Sequence, residues 1–179
     1  MKNKRGGEAR RELILKWLKE SNEPLTGQII AEKTNVSRQV IVQDISLLKA
    51  KNEPIIATAQ GYLYLSDKQP NYPFKRIIAC YHSPGQTRDE LTIMVDYGVL
   101  VRDVTVEHQI YGELTASLMI KSRRDVNEFI EKMETATASY LSELTDGVHL
   151  HTIEAESPEQ LDDLVKALDK AGFMLSKIE

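Results

Sequence analysis

The sequence has few of the features that mark secreted, disulfide-bonded or membrane proteins. It contains one cysteine, Cys80, among 179 residues, which excludes an intramolecular disulfide framework and favours a reducing compartment. The basic N-terminus has no apolar run behind it, which argues against a signal peptide, and no stretch is apolar enough to span a membrane. We therefore expect a cytoplasmic protein with no membrane partner.

The sequence also lacks the motifs of common catalytic sites. There is no glycine-rich phosphate loop and no nucleophile motif, and Cys80 lies in an apolar segment where a small core residue is expected. These absences predict that the protein is not an enzyme. A metal-dependent hydrolase stays open as an alternative, since a metal bound by histidine and carboxylate can activate water.

Charge is unevenly distributed along the chain. The formal net charge is -4, but residues 1–68 carry +4 and the remaining residues carry -8. A polyanionic partner would therefore bind the N-terminal part.

One amphipathic segment dominates the N-terminal part. In residues 34–51, apolar residues recur at steps of four, one, four and three from Val36 to Leu48, which predicts one buried face of a helix. Ser37 can cap this helix, and Arg38, Gln39 and Gln43 then point away from the core. Arginine can pair with guanine and glutamine with adenine in the DNA major groove. An ordinary amphipathic helix with a polar solvent face is the alternative.

The flanking segments favour the DNA-binding interpretation. Helices are predicted at about residues 8–20 and at 27–33, the second capped by Thr26, and two β-rich runs at 55–58 and 62–65 surround a turn. Three helices with a short second turn, followed by a hairpin, form a winged helix-turn-helix.

This segment resembles the winged helix-turn-helix that begins many small bacterial ligand-sensing regulators and some biotin-protein ligases. The resemblance implies that the third helix enters the major groove and that the hairpin, or wing, touches the backbone or minor groove of double-stranded DNA. The predicted DNA-binding residues are Thr26, Ser37, Arg38, Gln39, Gln43, Gln60 and Tyr62.

A polar segment with two prolines, residues 66–73, is predicted to link two domains, 1–65 and 74–179. The second domain alternates strands and helices in the order βαββαβα. This order favours an α+β fold with helices on one face of a mostly antiparallel sheet.

All four histidines lie in this second domain, and two of them are spaced so that both can meet one metal ion. His149 and His151 leave the same face of a predicted strand, about 6.6 Å apart along it. His82 follows another predicted strand, and Glu90 lies in the first turn of the next helix. Three imidazoles and a carboxylate could bind Zn, Ni, Fe or Mn, since these ligands do not select sharply among the four metals.

Each of these residues also has a purely structural interpretation. Glu90 completes a capping box that begins at Thr87. His149 and His151 could form an exposed polar stripe on an edge strand, and His82 and His108 could each be a hydrogen-bonded core or loop histidine.

Residues 76–179 resemble the three-histidine (3H) domain found behind this type of winged helix in bacterial repressors of NAD synthesis and niacin uptake. The matching stretches are 77–82 (IIACYH), 106–114 (VEHQIYGEL) and 141–151 (LSELTDGVHLH). One departure is Gln109, where a proline is expected. With the winged helix included, the similarity covers nearly the whole chain.

The resemblance implies an HPr-like βαββαβα fold, a homodimer, and a divalent metal held by the residues His82, Glu90, His149 and His151. It also implies repression when nicotinic acid is abundant. Nicotinic acid would then act as a corepressor at an open position on the metal, with His108 and Tyr111 orienting it from the side. A metal-responsive regulator with no organic effector is the main alternative.

Overall fold

The computed structural model describes residues 4–65 and 72–175, and the chain divides into two compact units, residues 1–70 and 71–179. Most of the predicted linker falls on residues 66–71, which lie outside the described residues.

The N-terminal unit contains three helices followed by a β-hairpin. These elements are α1 (Lys4–Glu20), α2 (Gly27–Thr34), α3 (Arg38–Ala50), β1 (Ile55–Thr58) and β2 (Gly61–Tyr64). The hydroxyls of Thr26 and Ser37 cap α2 and α3 by accepting hydrogen bonds from backbone amides three residues on. The predicted order of elements is confirmed, although α1 begins four residues before the predicted start at residue 8.

The core of this unit lies among the three helices and the hairpin. Its buried residues include Ile14, Leu18, Ile30, Ile41, Ile45, Leu48 and Ile55. A buried carboxylate, that of Asp44, also lies on α3, 3% exposed. Its oxygens accept hydrogen bonds from Arg10 Nε at 2.6 Å and Arg11 Nη1 at 3.2 Å, which ties α1 to α3.

The hairpin is joined to the segment before α2. Leu25 and Tyr62 exchange two backbone hydrogen bonds of 2.9 and 2.8 Å. Gly61 has a φ of +137°, and a Cβ at this position would lie 2.6 Å from the Leu25 carbonyl oxygen. Only glycine therefore fits where the wing passes this close to the helical part.

The second unit has the order βαββαβα that its sequence pattern predicts. Its elements are β3 (Phe74–Tyr81), α4 (Thr87–Asp96), β4 (Leu100–His108), β5 (Gly112–Ile120), α5 (Arg123–Ala136), β6 (Val148–Ala155) and α6 (Pro158–Lys170). The four strands form an antiparallel sheet in the order β3-β6-β4-β5. The predicted two-domain α+β fold is confirmed.

Strand β6 lies in the interior of this sheet, between β3 and β4. Helix α6 packs on β6 and β3, and α4 packs on β4 and α6. Because alternate residues of β6 face these helices, His149 and His151 lie on the same buried side as Ile153 and Ala155. The fold thus places two polar residues where a core normally takes apolar ones.

Within the described ranges, no helix is both long enough and apolar enough to cross a bilayer.

Candidate metal centre and nucleic-acid interface

The predicted base-contacting residues of α3 lie on its exposed side. Ser37, Arg38, Gln39 and Gln43 are all exposed. The opposite side of α3 is buried in the core of the N-terminal unit. The helix thus keeps its polar donors and acceptors free of the core, as a helix that enters a DNA groove requires.

The structure brings Thr26 and Tyr62, two of the remaining predicted DNA contacts, close to the start of this helix. A Cβ added to Gly27 would lie 3.4 Å from Tyr62 Cε2 and 3.6 Å from Arg38 Nε, so α2, α3 and the wing meet at this point. Thr26 precedes Gly27 and caps α2. Gln60 lies in the turn of the hairpin, where its backbone amide donates to Thr58 Oγ1.

In the second unit, the four predicted metal ligands converge in the buried interior. Their exposures are 4% for His82, 1% for Glu90 and 3% for each of the other two histidines. The Nε2 atoms of His82, His149 and His151 lie 2.7, 3.3 and 3.4 Å from the Glu90 carboxylate oxygens. We call these four residues the three-histidine cluster.

Each imidazole of the cluster is oriented by a backbone carbonyl. The Nδ1–H groups donate to the carbonyl oxygens of Ser83, Gly147 and Asp103, for His82, His149 and His151 respectively, each at 2.8 Å. This assignment of protons leaves every Nε2 facing Glu90. A backbone carbonyl on the far ring nitrogen is the arrangement that fixes histidine ligands in metal sites.

Two backbone features build this geometry. The β4 strand has a bulge between Val101 and Asp103, at the residue whose carbonyl accepts from His151. Gly147 has a φ of +96°, and a Cβ there would collide with the carbonyl oxygen of His82. The loop before β6 can therefore approach His82 only with glycine at this position.

This arrangement corrects two of the structural interpretations, the exposed stripe of His149 and His151 and the capping box of Glu90. His149 and His151 are not an exposed stripe on an edge strand, because β6 is an interior strand and both are buried. Glu90 does not close a capping box with Thr87, since its carboxylate contacts the three imidazoles, and Thr87 Oγ1 is buried with no hydrogen-bond partner in the described part of the chain. A capping box formed by Ser83 and Gln86 precedes α4 instead.

The electrostatics of the cluster favour a cation. Burial alone lowers the pKa of His82 and of His151, but the Glu90 carboxylate outweighs burial and leaves both pKa values above the ordinary 6.5. Burial alone raises the pKa of Glu90, but the charge of His151 and hydrogen bonds from the three histidines hold this pKa well below its ordinary 4.5. Three nitrogens and an ionised carboxylate facing one another fit a divalent metal.

Cys80 lies beside the cluster, although its sequence context predicts an ordinary core residue. The ligand atoms of Cys80, Glu90 and His149 all lie within 4.8 Å of one another. Burial, followed by the charge of Glu90 and a hydrogen bond with it, raises the pKa of this thiol. The proximity of Cys80 to the cluster depends on the pairing of β3 with β6, which cannot be predicted from sequence spacing.

The other predicted ligand contacts lie away from the cluster, at the tip of the β4–β5 hairpin. His108 and Tyr111 are at the tip of the β4–β5 hairpin, with ring centroids 5.0 Å apart, and His108 Nδ1 accepts from the amides of Ile110 and Tyr111. Val104 pairs with His151, and His108 is four residues further, about 13 Å along the strand. The structure therefore does not place this pair against the three-histidine cluster.

Comparison with known proteins gives the family. Residues 75–177 match the 3H domain and residues 10–63 match an HTH domain. The chain is 54% identical over 170 residues to "Transcription repressor NadR" of Bacillus subtilis (strain 168), covering 94% of each chain. It is 38% identical over 164 residues to "Probable transcription repressor NiaR" of Thermotoga maritima, covering 92% of each. The chain therefore belongs to this family of HTH- and 3H-domain transcription repressors, and it is a repressor and not an enzyme.

Proposed function

We propose that this repressor acts on operators of NAD-biosynthesis and niacin-uptake genes and uses nicotinic acid as its corepressor. It would work in the cytoplasm as a homodimer on double-stranded DNA. The observation that carries the proposal is the three-histidine cluster, in which three backbone-oriented imidazoles face one buried carboxylate. Three nitrogens and a carboxylate held in this way fit a divalent metal, on which the proposed corepressor site depends.

In this proposal His82, Glu90, His149 and His151 hold a divalent Zn, Ni, Fe or Mn ion. When bound, the ion would supply a Lewis-acid position for the carboxylate or the pyridine nitrogen of nicotinic acid. The chain itself supplies orientation, because the carbonyls of Ser83, Asp103 and Gly147 fix the imidazoles. The contact of His108 and Tyr111 with nicotinic acid remains a prediction.

The N-terminal unit supplies the operator contacts. Arg38, Gln39 and Gln43 on the exposed side of α3 would read base edges, and the wing residues Gln60 and Tyr62 would contact the backbone or minor groove. Thr26 and Ser37 lie at helix N-termini, where phosphates bind well. A dimer would meet two half-sites together, so their spacing must match the spacing of the two winged helices.

Nicotinic acid needs only to bind the DNA-competent state of the repressor more tightly than it binds the state that does not bind DNA. A preference of a few kcal/mol is enough to change operator occupancy from mostly free to mostly bound.

A second function is supported by the same geometry. The cluster is complete without an organic ligand, since its polar atoms already face one another. A regulator in which the metal itself is the effector is therefore the competing proposal.

The test is fluorescence anisotropy of the metal-loaded full chain on DNA from upstream of NAD-synthesis or niacin-transport genes. Titrations are run with nicotinic acid, with nicotinamide as the matched control, and after chelation. Salt is held fixed, because salt alone changes such affinities by orders of magnitude.

Tighter binding with nicotinic acid, but not with nicotinamide, is the expected result. Binding that ignores nicotinic acid and is lost on chelation would replace the proposal with the metal-responsive regulator. Absence of specific binding in every condition would overturn the proposed operator.

A further inference from the structure

The sheet pairing puts Cys80 beside the three-histidine cluster. In the antiparallel pair of β3 and β6, Cys80 is directly opposite His149, and directly opposed side chains leave the same face with Cβ atoms about 5 Å apart. Cys80 and His82 are two residues apart, and β3 ends between them. The thiol is therefore held by backbone pairing on the side of the sheet that carries the histidines.

The thiol also faces the atoms that a metal would use. Its sulfur, a carboxylate oxygen of Glu90 and a ring nitrogen of His149 lie within 4.8 Å of one another, and Cys80 is fully buried. The same carboxylate contacts His82 and His151. Sulfur is thus a further donor beside Glu90 and His149, at a carboxylate that three backbone-oriented imidazoles already face.

We propose that Cys80 is a direct ligand of the metal in this repressor. The inference rests on the proposed metal site and adds to it a sulfur donor that the three-histidine set lacks. On coordination a metal–sulfur bond forms, the S–H bond breaks, and the proton is released to solvent.

A thiolate in the donor set changes which metal the site prefers. Histidine and carboxylate alone hold Mn²⁺ and Fe²⁺ as well as Zn²⁺, whereas a thiolate favours the softer ions. The sulfur would therefore bias the site towards Zn²⁺, Co²⁺ or Ni²⁺ and against Mn²⁺. Cys80→Ser would reduce this bias while keeping the other four donors.

The test is X-ray absorption spectroscopy of the Zn²⁺-loaded full chain, with Co²⁺ absorption as a second measurement. The expected result is a sulfur neighbour of zinc at about 2.3 Å. The Co²⁺ protein should show a sulfur-to-cobalt charge-transfer band. The sulfur neighbour and the charge-transfer band should both be absent from Cys80→Ser, and the metal should still be bound. Ala79→Ser is the matched control, since it adds a hydroxyl at the adjacent position of β3, on the opposite face.

The outcomes separate this inference from the proposed function. Zinc bound with only nitrogen and oxygen neighbours would overturn the role of Cys80 and leave the three-histidine site intact. If the wild-type chain binds neither Zn²⁺ nor Co²⁺, the proposed metal site fails as well. Equal competition of Mn²⁺ against Zn²⁺ in the wild-type chain and Cys80→Ser would contradict the selectivity argument.

Discussion

The two units of the chain hold their functional residues in opposite ways. In the N-terminal unit the predicted DNA contacts on α3 are exposed and spread over one helix face. In the second unit the predicted metal ligands are all buried and converge on Glu90. Removal of one exposed side chain from α3 should leave the helix face folded. Removal of one member of the three-histidine cluster should leave the other members without a partner.

This difference has a cause in the energetics of burial. An exposed side chain keeps its hydration, so its loss removes only its own contact with a partner. A buried polar group must find partners inside the protein, and removal of one partner leaves the others unsatisfied. The two regions should therefore respond to mutation with different magnitudes.

The largest effect is expected for His149→Ala. Loss of an outer-shell partner already costs about 10- to 100-fold in metal affinity, and loss of a direct ligand should cost more. The variant should not retain Zn²⁺ through dialysis, which elemental analysis measures. Leu150→Ala, the next residue on β6 and on the opposite face, is the control and should retain the metal. Stoichiometric metal in His149→Ala would show that the ligand assignment is wrong.

The next effect concerns the one buried carboxylate identified in the N-terminal unit. Asp44→Ala should destabilise this unit by about 2 kcal/mol, since it removes charge-assisted hydrogen bonds from Arg10 and Arg11. The arginines are about one-fifth exposed and can turn to water, which keeps the cost below that of a fully buried pair.

Denaturant unfolding followed by fluorescence of Trp17 measures this effect, because Trp17 packs on the core of the N-terminal unit. Glu20→Ala, which removes an exposed i,i+4 pair with Lys16 in the same unit, is the control and should change stability by less than about 0.5 kcal/mol. An unchanged unfolding midpoint for Asp44→Ala would show that the ion pairs of Asp44 contribute as little to stability as exposed ion pairs do.

A smaller effect is expected for Arg38→Ala. The side chain is exposed, so stability should not change, but operator affinity should fall by about 1–2 kcal/mol if Arg38 pairs with a base. Anisotropy on operator and on unrelated DNA separates base contacts from phosphate contacts. Lys170→Ala, which removes an exposed cation of the second unit, is the control. An equal loss on both DNAs would assign Arg38 to phosphate.

Local rules placed the individual residues of the cluster on their elements, and the resemblance to the 3H domain predicted that the four residues form one metal site. His149 and His151 are two residues apart on a strand, and Glu90 stands in the first turn of a helix, which spacing alone reveals. The sequence did not predict that β6 is an interior strand, since strand order depends on pairing between distant segments. The sequence therefore also allowed His149 and His151 to lie exposed on an edge strand, and only the order of strands in the sheet excluded this alternative.

Cys80 and Asp44 were missed for related reasons. Cys80 meets His149 only through the register of β3 against β6. Asp44 did leave a sign in the sequence, since it lies three residues after Ile41 and four before Leu48, on the buried face of α3. Its partners in α1 are more than 30 residues away, so their pairing was not predictable from local pattern.

The smallest effect is the pH dependence of the metal-free second unit. Because the pKa of Glu90 is depressed, its contribution to stability is present above pH 4.5 and is lost as pH falls through the folded-state pKa. Because the pKa values of His82 and His151 are raised, their contribution is present below pH 6.5 and is lost as pH rises through the folded-state values.

Both contributions are therefore present only in mild acid, and the chelated protein should unfold at lower denaturant concentration at about pH 8 than at about pH 6. Circular dichroism of the full chain follows both units, and Trp17 fluorescence identifies the part of the transition that belongs to the N-terminal unit. Glu90→Gln removes the charge that raises the pKa values of His82 and His151, and burial alone then lowers them, so the stability of this variant should not fall between about pH 6 and about pH 8. The same slope in both proteins would mean that the pH dependence arises elsewhere, and that the exposed and buried regions differ less than their geometry indicates.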